Sequence, residues 1–598
     1  MRSHNGSVMK ELLFQVFLVA LARCQDDRRY PDRTYVQRLP QDGSTGPTAP
    51  RIEDLYLDKY LETQDPKYFD PLRYPSQPVD PLLPQRDRDG TPMDVRTDYI
   101  PQGRVTFLLE QANEELSRFC NNDVTAHWEF ETDINEATQI RALEAQLAYT
   151  DAQARISDRL SKIPLERVRD TRHIRAIRFL TNIGIAALPR DQLDRYNRLI
   201  NDMLAIYNTA TTCDYHDPLK CDLRLEPDLA SIMSKSRNWD QLQHSWTEWH
   251  RKSGQKIRDL FEQIVDLSNY AARLNNFTDY TDYLLFPYES PTFMAEINEA
   301  WEEIKPLYLE LHAYVRRKLR DLYGPEKLGR QAPLPAHILG NMWGQSWINI
   351  LDITIPYPGK FFPDVTPQMV QQGYTPATMF RLAEDFFLSL NLSGMPPDVR
   401  ENSLLVEPPG ILVICQPSAW DFCNKRDYRI KMCAHVTQSD LITLHHEMTH
   451  IEYFLEYRNL HKAFRDGANP GFHEGISEAI ALFVGSPKHL QTLGLLFGSE
   501  DDVPHNINFL YSMALQKLPF LAFSLALESW RWDVFRGEIN KDNYNCRWWD
   551  YREKIGGVKP PVLRSEKNFD PGSKYHVPAN IPYIKYDNTM ADSGSEGL

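Results

Sequence analysis

From Val105 onward the chain offers one long helix-forming stretch after another and very little that alternates with the two-residue rhythm of a strand. EATQIRALEAQLAYTDAQARISDRL, starting at Glu136, is rich in strong helix formers and carries a mixed charged face. IRDLFEQIVDLSNYAARL, AEINEAWEEIKPLYLELHAYVRRKLRDLYG and TPATMFRLAEDFFLSL continue the pattern. The best hairpin candidate is LLVEPPGILVICQPSAWDF followed by RIKMCAHVT, and no internal repeat is visible. The expectation is a mainly α fold with few short strands, a single large domain over residues 102–598. Its most apolar stretch, Leu518 to Phe535, has Pro519 at its start and Glu528 within, so it reads as a core helix rather than a membrane span.

The chain ahead of that domain is different in kind. Residues 25–101 are rich in Pro, Asp and Arg, with Pro31, Pro40, Pro47, Pro66, Pro71 and Pro84 among their prolines. With no apolar face to bury, this stretch reads as an extended, disordered arm. In front of it, Arg2 and Lys10 precede an apolar run, Leu12 to Ala22, that is too short to cross a bilayer. Small residues at Ala22 and Cys24 make a cleavage site before Gln25, so residues 1–24 read as a secretory signal. The expected product is secreted and extracellular, with no membrane anchor in this chain. The 82 acids against 67 Lys and Arg, a net charge of −15, argue against a nucleic-acid partner, because no basic excess exists to displace counterions.

Cysteine usage agrees with export. Eight Cys become seven if Cys24 leaves, an odd count that flags an unpaired thiol. Cys213 and Cys221 are bridgeable across a short loop, as are Cys415 and Cys433; Cys120, Cys423 and Cys546 stay unassigned. Asn276-Phe277-Thr278 and Asn391-Leu392-Ser393 are candidate glycosylation sites in an exported chain.

The chemistry is concentrated in LITLHHEMTHIEYFLEYRNL, where residues 446–450 form an HExxH motif. On a helix, residues four apart lie on one face and roughly 6 Å apart along the axis, so His446 and His450 can reach one metal. Glu447 projects beside the pair, where it can act as general base on water activated at the metal. Downstream, in ANPGFHEGISEAIALFV, Asn469 and Pro470 read as the start of a helix whose first turns carry Glu474. Two histidines and a glutamate are the usual protein ligands of an open, catalytic zinc site. Glu478, one turn further, faces the same way and reads as a carboxylate able to accept the free N–H of a ligating histidine.

With HHEMTH, GANPGFHE, GNMWGQSW, SAWDF and FDPGSKYHVPANIPYIKY in order, the chain resembles the angiotensin-converting enzyme family, from about Leu108 to Tyr586. The resemblance implies an ellipsoidal helical domain with a deep central cleft. It implies a secreted or membrane-anchored zinc peptidyl-dipeptidase that acts on small peptides with a free C-terminal carboxylate. It assigns zinc to His446, His450 and Glu474, and the base to Glu447. Gln345, Lys574 and Tyr583 match the trio that grips the carboxylate, a task suited to an amide, an ammonium and a phenol. His576 and Tyr586 match the groups that bind substrate backbone and stabilise the oxyanion. Asp421 matches a residue of the cleft wall. Without the resemblance, Tyr583 and Tyr586 read as core aromatics and Lys574 as a surface charge.

Departures from the family pattern fall close to the chemistry. Gln416-Pro417 stands where the family has His-Ala in a substrate-binding role; glutamine still offers hydrogen bonds but cannot titrate. Thr449 replaces a glycine on the zinc helix, and Glu478 a shorter Asp. Of the chloride-binding positions, Trp548, Arg552 and Tyr288 are kept, while His250 and Lys585 replace Arg. The polar tail DNTMADSGSEGL follows where the family continues with closing helices, so the domain is expected to be shortened at its C-terminus. Two readings follow: an active peptidase, or a non-catalytic zinc-containing relative that binds peptides or partners.

Overall fold

The structure, a computed structural model, describes residues 99–497 and 502–583. The expected signal, the arm up to residue 98, Lys585 and Tyr586 lie outside the described residues. The fold described here is that of the unit formed by Asp98–Leu388 and Leu392–Leu598.

Helices dominate, as the sequence periodicity predicts. Helix α1, Gln102–Thr132, buries Val105, Leu109, Ala112, Leu116 and Cys120, a stripe at three- and four-residue spacing. It turns back into α2, Glu136–Leu160, whose start is closed by a reciprocal cap between Asn135 and Thr138. Helix α3, Trp239–Lys252, runs into α4, Gly254–Leu274, and α5 spans Phe293–Tyr323 with Pro306 inside it. The HExxH helix α6, Gln438–Tyr457, packs against α7, Phe472–Val484. Helices α8, Val503–Arg536, and α9, Tyr544–Gly556, lie against each other in the core.

Helix α8 begins well before the predicted core segment and runs through Pro519. By length and composition it could cross a membrane. Here Phe520, Phe523, Leu525, Leu527, Trp530 and Trp532 are buried in the protein core, and Glu528 with Arg531 forms an ion pair inside it. Burying each such apolar side chain is worth about 1.5–3 kcal/mol, which explains a helix that is apolar nearly all round.

The strands are short. β1, Leu334–Pro335, pairs in parallel with β4, Val558–Lys559. β2, Ser418–Asp421, pairs antiparallel with β3, Tyr428–Lys431, in the register Ser418↔Lys431. The predicted hairpin is therefore present but confined to its last residues; of LLVEPPGILVIC, only Leu404 makes an isolated bridge, to Lys431. Two prolines and a glycine, at 408–410, explain why the rest does not extend. The β2–β3 hairpin packs on α6, which carries the HExxH motif.

Candidate metal centre

Helix α6 starts at Thr437, whose side chain accepts from the Asp440 N–H at 3.0 Å, and its residues from Leu444 to Glu452 are all buried. Polar groups in that position need partners. His446 Nε2 lies 3.2 Å from His450 Nε2, and Glu474 Oε2 lies 3.3 Å from the first and 3.6 Å from the second. Tetrahedral zinc, with bonds of ~2.0–2.1 Å, sets neighbouring ligand atoms about 3.3–3.4 Å apart. The three separations bracket that value. The buried Nδ1 atoms of both rings, and Glu474 Oε2 itself, have no hydrogen-bond partner among the described residues. Two imidazole nitrogens and a carboxylate oxygen thus converge on one point, and the donor set fits zinc.

The start of α7 differs from the expectation. The helix begins at Phe472, not at Pro470, because Asn469 instead caps a turn ahead of it: its side chain accepts from Gly471 N–H at 3.0 Å and its carbonyl from Phe472 N–H. Glu474 still falls in the first turn. Glu478 Oε2 accepts from Lys517 Nζ of α8 at 2.7 Å, while the histidine Nδ1 atoms it was expected to receive have no partner. Burial pushes the Glu447 carboxyl up to about 7, with Glu474 adding to the rise and the charges of His446 and Lys431 opposing it. Thr449 is accommodated rather than crowded, its hydroxyl donating to the His445 carbonyl at 2.7 Å.

A second buried cluster brings Gln345, Lys574, Tyr583 and His576 together. Tyr583 Oη donates to Gln345 Oε1 at 3.1 Å, and Lys574 Nζ sits 4.2 Å from the centre of the Trp343 ring and 5.6 Å from that of Tyr583. The His576 ring packs edge-on against Tyr583 at 4.6 Å. Burial holds His576 down at about 2, with the charges of Lys574 and Arg531 adding to the effect. The loop carrying these residues is pinned from several sides. Trp249 and Trp343 both donate to the Ser573 carbonyl, Arg531 donates to Asn580 Oδ1, and Glu528 accepts from Tyr583 N–H at 2.7 Å.

The two clusters share α8. Lys517 reaches Glu478 on α7, and Phe520 and Phe523 pack on the Tyr583 ring.

Other predicted residues are placed as follows. Asp421 accepts from Tyr457 Oη at 3.1 Å and from Cys423 N–H at 2.8 Å. The Gln416 carbonyl accepts from Lys431 Nζ at 3.0 Å. Cys213–Cys221 and Cys415–Cys433 are bonded as expected, Cys120 pairs with Cys423 across 303 residues, and Cys546 is free and exposed. Asn276 and Asn391 are exposed in turns with φ of 65°. Arg552 is buried between Phe523 and Trp548, donates to the Trp343 carbonyl at 2.9 Å, and forms no ion pair with a described residue. His250 is stacked on Trp246 and held down at about 4 by burial.

Sequence reasoning missed Lys431, Lys517 and Trp343. The first is hidden by its pattern: a lysine between Ile430 and Met432 reads as the outward residue of an alternating strand, yet Lys431 is buried.

The sequence model of the family described as Peptidase_M2, Angiotensin-converting enzyme, matches residues 102–590. A curated Angiotensin-converting enzyme of Bos taurus is 40% identical over 531 residues, 89% of this chain and 40% of that protein. The chain therefore spans well under half the length of that relative. The Angiotensin-converting enzyme of Haematobia irritans exigua is 38% identical over 81% of this chain and 79% of that protein, and that of Theromyzon tessulatum is 40% identical over 80% and 78%. With the ligand triad and the match both in hand, the chain belongs to the angiotensin-converting enzyme family of peptidases.

Proposed function

We propose that this protein is a secreted zinc peptidase that releases dipeptides from the C-terminus of small peptides. The observation that carries the reading is that the His446, His450 and Glu474 triad and the buried Lys574, Gln345 and Tyr583 cluster both pack, directly or through Glu478, on one helix, α8. A peptide whose terminal carboxylate sits at Lys574, Gln345 and Tyr583 would then present its second peptide bond, counted from the end, at the metal.

His446, His450 and Glu474 would hold zinc, which supplies a Lewis acid that polarises the scissile carbonyl and activates water. Glu447 takes the proton from the attacking water and returns it to the leaving amine; a carboxyl raised by burial suits both halves of that task. His576, kept neutral by burial, offers hydrogen bonds to the substrate backbone, with Tyr586 and Gln416 in the same service. Arg552, a buried guanidinium with no described carboxylate, is the residue on which chloride would be held. The exposed Asn276 and Asn391 are the proposed glycan sites.

The test is a zinc-loaded protein and its Glu447→Ala variant on a blocked tripeptide. The parent should release the C-terminal dipeptide, and the variant should keep one zinc per chain while losing turnover by roughly 10²-fold or more. Zinc retained by both with turnover by neither would favour the non-catalytic relative; no zinc in folded protein would remove both readings.

A further inference from the structure

Lys431 closes β3, and its side chain is 1% exposed. Burying an ammonium costs several kcal/mol unless it is matched by charge and hydrogen bonds. Here the match is complete: Nζ donates to the Ile414 carbonyl at 2.6 Å and the Gln416 carbonyl at 3.0 Å, and pairs with Glu131 Oε2 of α1 at 3.1 Å. Three ammonium protons meet three oxygens. Glu131 holds the same segment a second way, its backbone carbonyl accepting from Ile414 N–H at 2.8 Å. The Cys415–Cys433 bond joins the two segments as well, but a single covalent tie leaves the peptide planes on either side free to turn. The lysine fixes those planes, because it takes the carbonyls on both sides of Cys415.

The segment so fixed runs directly into β2, beside the HExxH helix. We propose that Lys431 is a positioning residue for peptide binding: by holding the Ile414 and Gln416 carbonyls it sets the backbone path on which the substrate chain lies. This rests on the peptidase reading above, which places Gln416 along the substrate. Lys431 touches neither the metal ligands nor the clamp, so its loss should weaken the peptide and leave the zinc alone.

Binding of a blocked tripeptide to the zinc-loaded Glu447→Ala protein, measured by calorimetry, separates the possibilities without needing turnover. On that background Lys431→Met should weaken binding about tenfold or more with unchanged zinc content, because a misplaced backbone forfeits alignment as well as hydrogen bonds. Lys431→Arg keeps the charge but not the three-way geometry, and should cost about threefold. Arg429→Met, on the same strand, removes a pairing with Asp427 and the stacking on Phe422 without touching either carbonyl. It should lower Tm yet leave affinity within about twofold. If Lys431→Met fails to fold, Lys431→Arg decides. Affinity unchanged by the lysine variants, or weakened as much by Arg429→Met, overturns the proposal and leaves the peptidase reading standing; no binding by the parent overturns both.

Discussion

Lys574 holds its ammonium over the Trp343 ring in a site where Gln345 and Tyr583 are equally buried. Its sequence context reads as a surface charge, since a Lys between Ser and Tyr in a loop carries no periodicity that would mark burial. The family resemblance supplied that residue's placement; the structure supplies the reason, in the two tryptophans that draw Ser573 inward. His446, His450 and Glu474 were legible from residues alone, because helical spacing fixes two ligands and the third opens the next helix. Lys574→Met should leave zinc content unchanged and raise KM for free-acid peptides by about 10-fold to 10²-fold, the usual cost of losing a charge-assisted bond in a dry site. Steady-state kinetics beside metal analysis checks this; an unchanged KM would show that the substrate carboxylate is held elsewhere.

Helices α1 and α2 form a hairpin tied to the rest of the domain at several points along its length. Cys120 is bonded to Cys423, Asn121 donates to the Phe422 carbonyl at 2.7 Å, Ile134 N–H to the Leu412 carbonyl at 2.8 Å, and Lys462 N–H to Asn113 at 2.8 Å. The helices were visible in the sequence because their apolar residues recur at helical spacing. Their fastening was not, because partners hundreds of residues apart leave no local pattern; Cys120 and Cys423 stood unassigned for that reason. The short reach of the β2–β3 hairpin has the opposite cause, local chemistry, in the prolines that precede it. Replacing Cys120 and Cys423 together by Ser should lower stability by about 2–5 kcal/mol, since the bond closes a very long loop. Amide exchange should quicken within residues 102–160 first. Equal melting temperatures for parent and variant would mean that the hydrogen bonds alone hold the hairpin.

Across the whole molecule, histidines held neutral by burial bear on the response to acid. Burial holds His250 at about 4, His337 at about 3 and His576 at about 2, the last two pushed further by nearby lysines. In the unfolded chain each returns to about 6.5, so below that pH the unfolded state binds more protons and stability falls. Each histidine contributes a slope of roughly 1.4 kcal/mol per pH unit below 6.5, until its own folded value is reached. Tm should therefore drop between pH 6.5 and 5, a fall partly offset by Glu447 and Glu452, which burial raises to about 7 and about 8, and His337→Met should flatten it by about one histidine's share. A parent whose Tm is flat over that range would show these rings charged in the folded state.

The proposed activity requires the metal and the carboxylate clamp to lie two substrate residues apart. Product analysis on a blocked tetrapeptide, offered to zinc-loaded protein as the free acid and as the C-terminal amide, tests it most directly. The C-terminal dipeptide alone should be released, with the amide cleaved about 10²-fold more slowly, because a neutral terminus cannot match the charge of Lys574. Cleavage at another bond, or equal rates for acid and amide, would contradict it.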